Sequence, residues 1–233
     1  MEPTGVSAGH RPVPTVLVSA VVQGAALYAL HLSIKNHHWP ATDQAWLLAL
    51  YALFVFMPIA VQMLVAHLRN HLTWLLLLVW SAAYAGFGFY HGSTVLGAVP
   101  AAGTEFGLSF PVAFELLLLW LLVLPFIQIR LANGAWHPPY RHLFSLAWRN
   151  KLTLAEAGLF TTLFWGLLLL WQQLFHVLGI DFFRELFKEP IFVYPVTALA
   201  FGFSLHLIGS LSRWVDVVLV SGFIHLPRAA QRF

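Results

Sequence analysis

This sequence predicts an all-α fold, a polytopic transmembrane helix bundle of about six spans with short interfacial helices. The first observation is composition: 60% of the 233 residues are hydrophobic and only 9% are charged, against roughly 25% charged residues in a soluble domain. The second is a mean hydropathy of +0.78. The third is the recurrence of apolar runs of about 20 residues, the length that a helix needs to cross a bilayer.

Six apolar runs have the length of membrane-spanning helices. The first could also be the apolar region of a signal peptide, but such regions usually span about 7–15 residues, and this run is longer. Pro58 inside the second run predicts a kink, because proline removes a backbone hydrogen-bond donor. Thr153 and Glu156 have capping-box spacing, which predicts that the fifth helix starts there. We predict the spans at Thr15–Ile34, Gln44–Ala66, Leu72–Tyr90, Pro111–Ile129, Leu154–Leu178 and Ile191–Leu211.

The two ends of the chain are predicted to lie outside a single bundle that covers residues 15–211. Met1–Pro14 is rich in Pro and Gly, which is typical of a flexible tail. The last apolar run, Val217–Leu226, is too short to cross a bilayer. We therefore predict that residues 212–233 form an interfacial tail that lies on or against the bundle.

Three internal segments are predicted to be neither spans nor simple turns. Tyr140–Trp148 and Asp181–Glu189 mix aromatic and charged residues, as short helices at a membrane surface do. His91–Phe110 is rich in Gly and Ala and has no Lys or Arg. It is predicted to be either a surface loop or a re-entrant segment lining a cavity, because irregular backbone at membrane depth requires such surroundings.

The predicted orientation follows from the basic segment Arg130–Lys151. It holds four of the twelve Lys and Arg residues and no Asp or Glu, and the positive-inside rule places such a segment in the cytoplasm. With six spans, nine of the twelve basic residues then fall on the cytoplasmic side. The sequence therefore predicts a multi-pass protein of the cell membrane with both termini in the cytoplasm.

Several functional classes are disfavoured by the composition. The chain has no cysteine, which removes disulfides, thiolate metal sites and cysteine nucleophiles. Its formal charge of +3 comes from basic residues spread over short loops, so no nucleic-acid partner is expected. The sequence has no phosphate-binding glycine loop, nucleophile elbow or zinc-protease motif. A non-enzymatic role is favoured, although intramembrane enzymes can assemble sites from scattered polar residues.

Glu115 is the best single candidate for a functional residue. A carboxylate inside a span costs about 2–3 kcal/mol at mid-bilayer and usually faces inward. His91 and His176 are predicted at the same outer level, so these three residues form a candidate site for substrate or proton handling. The other interpretation is that the carboxylate reaches the membrane surface, or pairs with Gln172, Gln173 or His176.

Histidine is enriched in the chain, with twelve residues. With the outer carboxylates, the histidines on the outer side could form a metal or haem site. Most of them fall at span ends, where a polar tip meets lipid headgroups, so we predict no metal and no cofactor. His67 and His71 have the i, i+4 spacing of zinc ligands, but no Glu follows His67 as a zinc-protease motif requires.

Small residues at every fourth position predict close helix packing. The fifth span carries Gly158, Thr162 and Gly166 in this spacing, and the sixth carries Ala198 and Gly202. The expected surroundings are therefore a lipid bilayer, together with either a membrane-protein partner or a second copy of the chain.

The segment Trp148–Leu207 combines a Trp-rich fifth span ending in Leu-Gly-Ile with the aromatic segment Phe183–Phe187. The sixth span adds Pro195 followed by Gly202. In these features the chain resembles the bacterial integral-membrane family catalogued as domain of unknown function 4153. Members usually continue through further spans, so the resemblance implies a short member, or the front part of a longer one, in a bacterial inner membrane. It implies no catalytic residue, since it carries no established activity.

Two functions from different classes fit these observations. A structural or assembly subunit would hold partners through its small-residue faces and its basic inner loop. A small-solute or proton transport component would instead use Glu115 and the glycine-rich outer segment as part of an entry. The spans hold few charges and no inverted repeat is visible, which favours the assembly subunit.

Because the chain has no cysteine, single cysteines can test the predicted orientation. We expect an impermeant thiol reagent, added to intact cells, to label a cysteine placed at Gly103 and not one placed at His137. Gly103 is predicted to lie on the outer side of the membrane, and His137 is predicted to lie in the cytoplasm. Labelling of both positions after permeabilisation is the control, and the reverse pattern in intact cells would contradict the orientation.

Overall fold

Helices form all the regular structure of the residues that the computed structural model describes. These are residues 13–96, 110–134, 136 and 139–224, with backbone alone at 95, 96, 110, 112 and 211–224. A 3-10 turn, Val65–His67, links α2 to α3, and a π-helical turn, Gly92–Leu96, follows α3. The predicted all-α fold is confirmed. The helices are α1 Val13–Lys35, α2 Gln44–Met63, α3 His71–His91, α4 Phe110–Asn133, α5 Tyr140–Val177, α6 Phe182–Leu186 and α7 Pro190–Ile224.

Six of these helices are long and apolar enough to cross a membrane by their length and composition. The exception is α6, which has five residues and lies within the segment predicted to form a short helix. The prediction of a multi-pass membrane protein is therefore confirmed at the level of its spans. The side of the membrane on which each loop lies stays a prediction.

The fifth helix is longer than predicted. α5 runs without a break for 38 residues, or about 57 Å at 1.5 Å per residue. A separate surface helix at Tyr140–Trp148 and a helix start at Thr153 were therefore wrong predictions. Pro139 precedes the helix with extended backbone, at φ −61° and ψ 137°. No further proline and no glycine occurs before Gly158, so the sequence contains nothing that would interrupt the first turns.

Other predicted boundaries also differ, among them those of α7 and α1. α7 continues past its predicted end at Leu211 and includes much of the predicted interfacial tail. The position of this tail against the bundle stays a prediction. α1 begins at Val13, two residues earlier than its predicted span. The rest of the predicted N-terminal tail, and residues 97–109 of the predicted loop or re-entrant segment, lie outside the described residues.

Side-chain caps fix the points at which α2 and α3 begin. The backbone N–H of Ala45 donates to Oδ1 of Asp43 at 2.9 Å, and that of Leu72 donates to Oδ1 of Asn70 at 2.9 Å. Both capping residues have extended backbone, as N-cap residues usually do. The short connection before Asn70 makes α3 turn back directly along α2.

The helices pack around α2. α1 lies between α2 and α7, α3 runs along α2, α4 contacts both α2 and α3, and α5 joins α4 to α7. The largest apolar cluster lies among α2, α3 and α4. In it, Trp80 and Trp120 stack with ring centroids 5.9 Å apart, a contact worth about 0.5–1.5 kcal/mol beyond area burial. The Tyr84 hydroxyl donates to the Leu116 carbonyl oxygen at 2.9 Å.

α2 and α3 approach each other closely because α3 has glycine at the contact. A Cβ at Gly88 would lie 2.8 Å from the Leu48 carbonyl oxygen, and one at Gly92 would lie 2.6 Å from Cα of Ala45. Gly88 and Gly92 are four residues apart, so they leave one shallow groove along α3 and the turn that follows it. This is the small-residue spacing that lets backbones pack closely in membranes.

We expect Gly88→Ala to lower the thermal stability of the purified protein in detergent. The added methyl group would overlap the Leu48 carbonyl oxygen, and overpacking of this kind costs about 1–3 kcal/mol. Gly86→Ala is the matched control, since a Cβ at that position meets no atom within 4 Å. Equal melting temperatures for the two variants would contradict the close approach of α2 and α3.

Candidate functional site

The three residues predicted to handle a substrate or proton lie on three different helices. Glu115 is exposed on α4, His91 is half-buried at the end of α3, and His176 is exposed near the end of α5. Among the described residues, no hydrogen bond or ion pair connects any two of these side chains. Glu115 thus lies on the outside of the bundle, and the structure does not bring the three side chains into contact.

His176 pairs with Asp181 across a tight turn. Its Nδ1 lies 2.6 Å from Oδ1 of Asp181, and both side chains are exposed. Gly179, between them, has a φ of +79°. The Gly179 N–H donates to the His176 carbonyl oxygen, and the Ile180 N–H donates to that of Phe175. This Schellman motif ends α5 and places the carboxylate beside the last helical turn.

The corner formed by α5, α6 and α7 is aromatic. Phe183 of α6 contacts Phe175 of α5, with ring centroids 4.7 Å apart. Phe187 contacts both Trp165 of α5, at 6.2 Å, and Phe192 of α7, at 5.5 Å. These contacts hold the short helix α6 against the ends of its two neighbours.

A polar seam joins α1 to α2. Ser19 Oγ donates to the Pro58 carbonyl oxygen at 3.2 Å, and Gln23 Nε2 donates to the Val55 carbonyl oxygen at 3.1 Å. Ser19 and Gln23 are four residues apart and therefore lie on one face of α1. Both bonds fall where Pro58 leaves α2 short of one backbone donor. The seam therefore holds α1 beside the part of α2 that contains Pro58.

Two buried glutamines lie in the interior formed by α1, α2 and α7. Gln62 is 2% exposed and Gln23 is 6% exposed. Neither amide atom of Gln62, nor Oε1 of Gln23, has a hydrogen-bond partner among the described protein atoms. Burying an amide without a partner costs about 1–3 kcal/mol by mutational data. Gln62 lies beside Gly202, where a Cβ would come 3.4 Å from Oε1. The Gln62 amide can donate and accept hydrogen bonds but carries no charge. A neutral polar group would therefore match it as a hydrogen-bond partner.

A second pair of amides links α4 to α5. Asn150 Nδ2 donates to Oε1 of Gln128 at 2.8 Å, and Gln128 Nε2 donates to Oδ1 of Asn150 at 3.5 Å. Asn150 is 2% exposed. The two amides satisfy each other, as buried polar groups in a membrane bundle must. They fix the register of α5 against α4.

The small residues of the two predicted packing faces have different surroundings. Ala198 is buried, and a Cβ at Gly202 would lie 2.9 Å from Cβ of Ala20, so this face packs against α1. On α5, by contrast, a Cβ at Gly158 or Gly166 would meet no atom of the described residues within 4 Å. Thr162, between these two glycines, is exposed. The residues that α5 buries against the bundle are Asn150, Ala157 and Thr161.

One described histidine links the first and last long helices. His31 of α1 lies beside Tyr194 of α7, with the Tyr194 hydroxyl 3.4 Å from His31 Nδ1 and the ring centroids 5.5 Å apart. Within the described residues, no group of three His, Asp or Glu side chains is placed to hold a metal ion. No metal site is therefore assigned to these described side chains.

Sequence reasoning missed the interior amides. Gln23, Gln62 and Gln128 each interrupt an apolar run in the sequence. An amide inside a span is costly unless it is paired, so these interruptions were a usable signal. The candidate site was predicted from charged residues and histidines, so it did not include these neutral amides.

Asn150→Leu is expected to reduce stability, because it leaves the Gln128 amide without its partner. Interhelical hydrogen bonds in membrane proteins contribute about 0.6 kcal/mol on average and about 1.7 kcal/mol at most. Combining Asn150→Leu with Gln128→Leu should cost less than the sum of the two single changes. The measurement is a double-mutant cycle by thermal or denaturant unfolding in detergent micelles, and strict additivity would contradict the pairing.

Comparisons of the chain with models of protein families, with curated proteins and with solved structures found no match. The resemblance to the bacterial integral-membrane family stays a proposal.

Proposed function

We propose that this chain is a non-enzymatic structural or assembly subunit of a membrane complex. It sits in a cell membrane, with both termini in the cytoplasm, and contacts its partner through the exposed face of α5. The partner is another membrane protein or a second copy of the chain. We also propose, from the features of Trp148–Leu207, that the chain belongs with the bacterial integral-membrane family that it resembles.

The observation that carries this proposal is the open face of α5. Gly158, Thr162 and Gly166 lie one turn apart on this face, and no described residue comes within 4 Å of a Cβ at either glycine. The hydroxyl of Thr162 bonds back to the Gly158 carbonyl oxygen at 2.9 Å, so it is satisfied within its own helix. Small residues in this spacing let a second helix approach closely, and close packing is the main attraction between helices in lipid.

The remaining surface of α5 supports the same interpretation. This helix has 38 residues but buries only three of them against the rest of the described chain. α2, with 20 residues, buries ten. The side of α5 that faces away from the rest of the described chain is therefore open to another helix along the apolar span Leu154–Leu178.

The alternative is a small-solute or proton transport component that uses Glu115. A transport role requires the carboxylate to face a path through the bundle, whereas this side chain is exposed on the outer surface of α4. The unpartnered amide of Gln62 is a polar group inside the bundle, but it carries no charge that could be exchanged. The positions of both residues favour the assembly subunit.

The two functions can be separated with substitutions on α4 and α5. We expect Gly158→Leu and Gly166→Leu to reduce recovery of the partner from native membranes in mild detergent by at least tenfold, which corresponds to about 1.4 kcal/mol. Gly86→Leu is the matched control, because this glycine on α3 also has no atom near its missing Cβ. Glu115→Gln should leave recovery and any cellular phenotype unchanged.

A different pattern would overturn the proposal. If Glu115→Gln abolishes a cellular phenotype while the protein still folds and reaches the membrane, the transport alternative is favoured. If Gly86→Leu disrupts recovery as strongly as Gly158→Leu, the face of α5 has no special role. Partner recovery is compared only among variants that have equal expression levels and equal melting temperatures.

A further inference from the structure

The first three turns of α5 carry a stack of exposed aromatic rings. The ring centroids of Tyr140 and Phe144 are 6.1 Å apart, and those of Phe144 and Trp148 are 6.5 Å apart. These side chains are 77%, 57% and 51% exposed in that order. Residues four apart lie on the same side of a helix, so the rings form one continuous apolar strip.

Basic side chains border this strip. Arg141, Arg149 and Lys151 are all exposed, and the Lys151 ammonium lies 5.2 Å from the centre of the Trp148 ring. The sequence has no Asp or Glu within residues 116–155. The ion pair found among the described residues lies at the other end of α5. Within the described part of the chain, then, no carboxylate forms an ion pair with these three cations.

The strip lies where α5 leaves the apolar part of the membrane. The helix is about 57 Å long, whereas the hydrocarbon core of a bilayer is about 30 Å thick. The apolar span predicted within this helix is Leu154–Leu178, so the aromatic strip falls at or beyond the membrane interface. Trp, Tyr, Lys and Arg concentrate at this level because their polar groups reach the headgroups.

We propose that this end of α5 binds the headgroups of anionic phospholipids in the adjacent leaflet. Arg141 and Arg149 donate hydrogen bonds to phosphate oxygens, since a guanidinium group matches phosphate in geometry and charge. The Lys151 ammonium adds a third positive charge. The rings pack against the glycerol and the upper acyl carbons. We name this surface the cationic aromatic face, and it consists of Tyr140, Arg141, Phe144, Trp148, Arg149 and Lys151.

A lipid fits this face better than a second copy of the chain does. Two copies that paired in parallel directly through the cationic aromatic face would bring the same residues together around a two-fold axis. Their two Lys151 side chains would then repel each other. An anionic headgroup supplies the opposite charge at the depth where the cations lie. This inference does not depend on the proposed assembly function.

The experiment measures lipid selectivity of the purified full chain. The protein in detergent is equilibrated with equal amounts of phosphatidylglycerol and phosphatidylcholine, and bound lipids are counted by native mass spectrometry. We expect a preference for phosphatidylglycerol that weakens as salt is raised. The combined variant Arg141→Gln, Arg149→Gln and Lys151→Gln should reduce this preference by on the order of 100-fold, because each basic residue near an anionic surface contributes roughly fivefold.

The control variant carries the same change in charge elsewhere. Lys35→Gln, Arg184→Gln and Lys188→Gln remove three cations from the segments predicted on the opposite side, and selectivity should be retained. The salt dependence of the unaltered chain tests the proposal even if the combined variant folds poorly.

Three results would overturn the proposal. The first is equal binding of the two lipids by the unaltered chain. The second is an equal loss of selectivity in the control variant. The third is a co-purifying protein that disappears in the combined variant while lipid selectivity persists, which would assign the cationic aromatic face to a protein instead.

Discussion

Close backbone contact between the first and last long helices holds this bundle together. A Cβ at Gly24 would lie 2.5 Å from Cα of Pro195, and one at Gly202 would lie 2.9 Å from Cβ of Ala20. Lipid is as apolar as leucine, so burial of apolar surface does not drive helices together, and van der Waals packing must do so. α1 also donates side-chain hydrogen bonds to α2. α1 therefore joins α7 to α2, and α2 in turn packs against α3 and α4.

The number and approximate positions of the long helices could be predicted because each depends on local sequence. In lipid every backbone amide must be satisfied within its own segment, so a long apolar run has one available structure. Helix ends were harder to predict, as the capping-box spacing at Thr153 occurs inside a continuous helix. The groove of Gly88 and Gly92 was missed because the predicted span ended at Tyr90. Spacing alone showed which small residues share a face, but not whether that face points inward.

The polar interior could not be predicted as well as the fold. The predicted site was centred on a charged residue, Glu115, which is exposed in the structure. The buried polar groups, by contrast, include neutral amides. The physical reason is that burying a charge costs far more than burying an amide. Gln128 and Asn150 pair across 22 residues of sequence. That pairing depends on how α4 and α5 cross, which no local pattern encodes.

α5 connects the two proposals through its geometry. Gln128 holds it to α4, and its Trp165 donates to Thr197 of α7 at 3.0 Å, so the helix is fixed at two levels. Its exposed face therefore has a defined direction. Thr162, at the centre of the small-residue stripe, follows Lys151 by eleven residues, or about 16 Å along the axis. Half the thickness of the hydrocarbon core is about 15 Å. A headgroup held at Lys151 would thus set the stripe near the middle of the bilayer, where no lipid or water group competes for hydrogen bonds and close helix packing decides association.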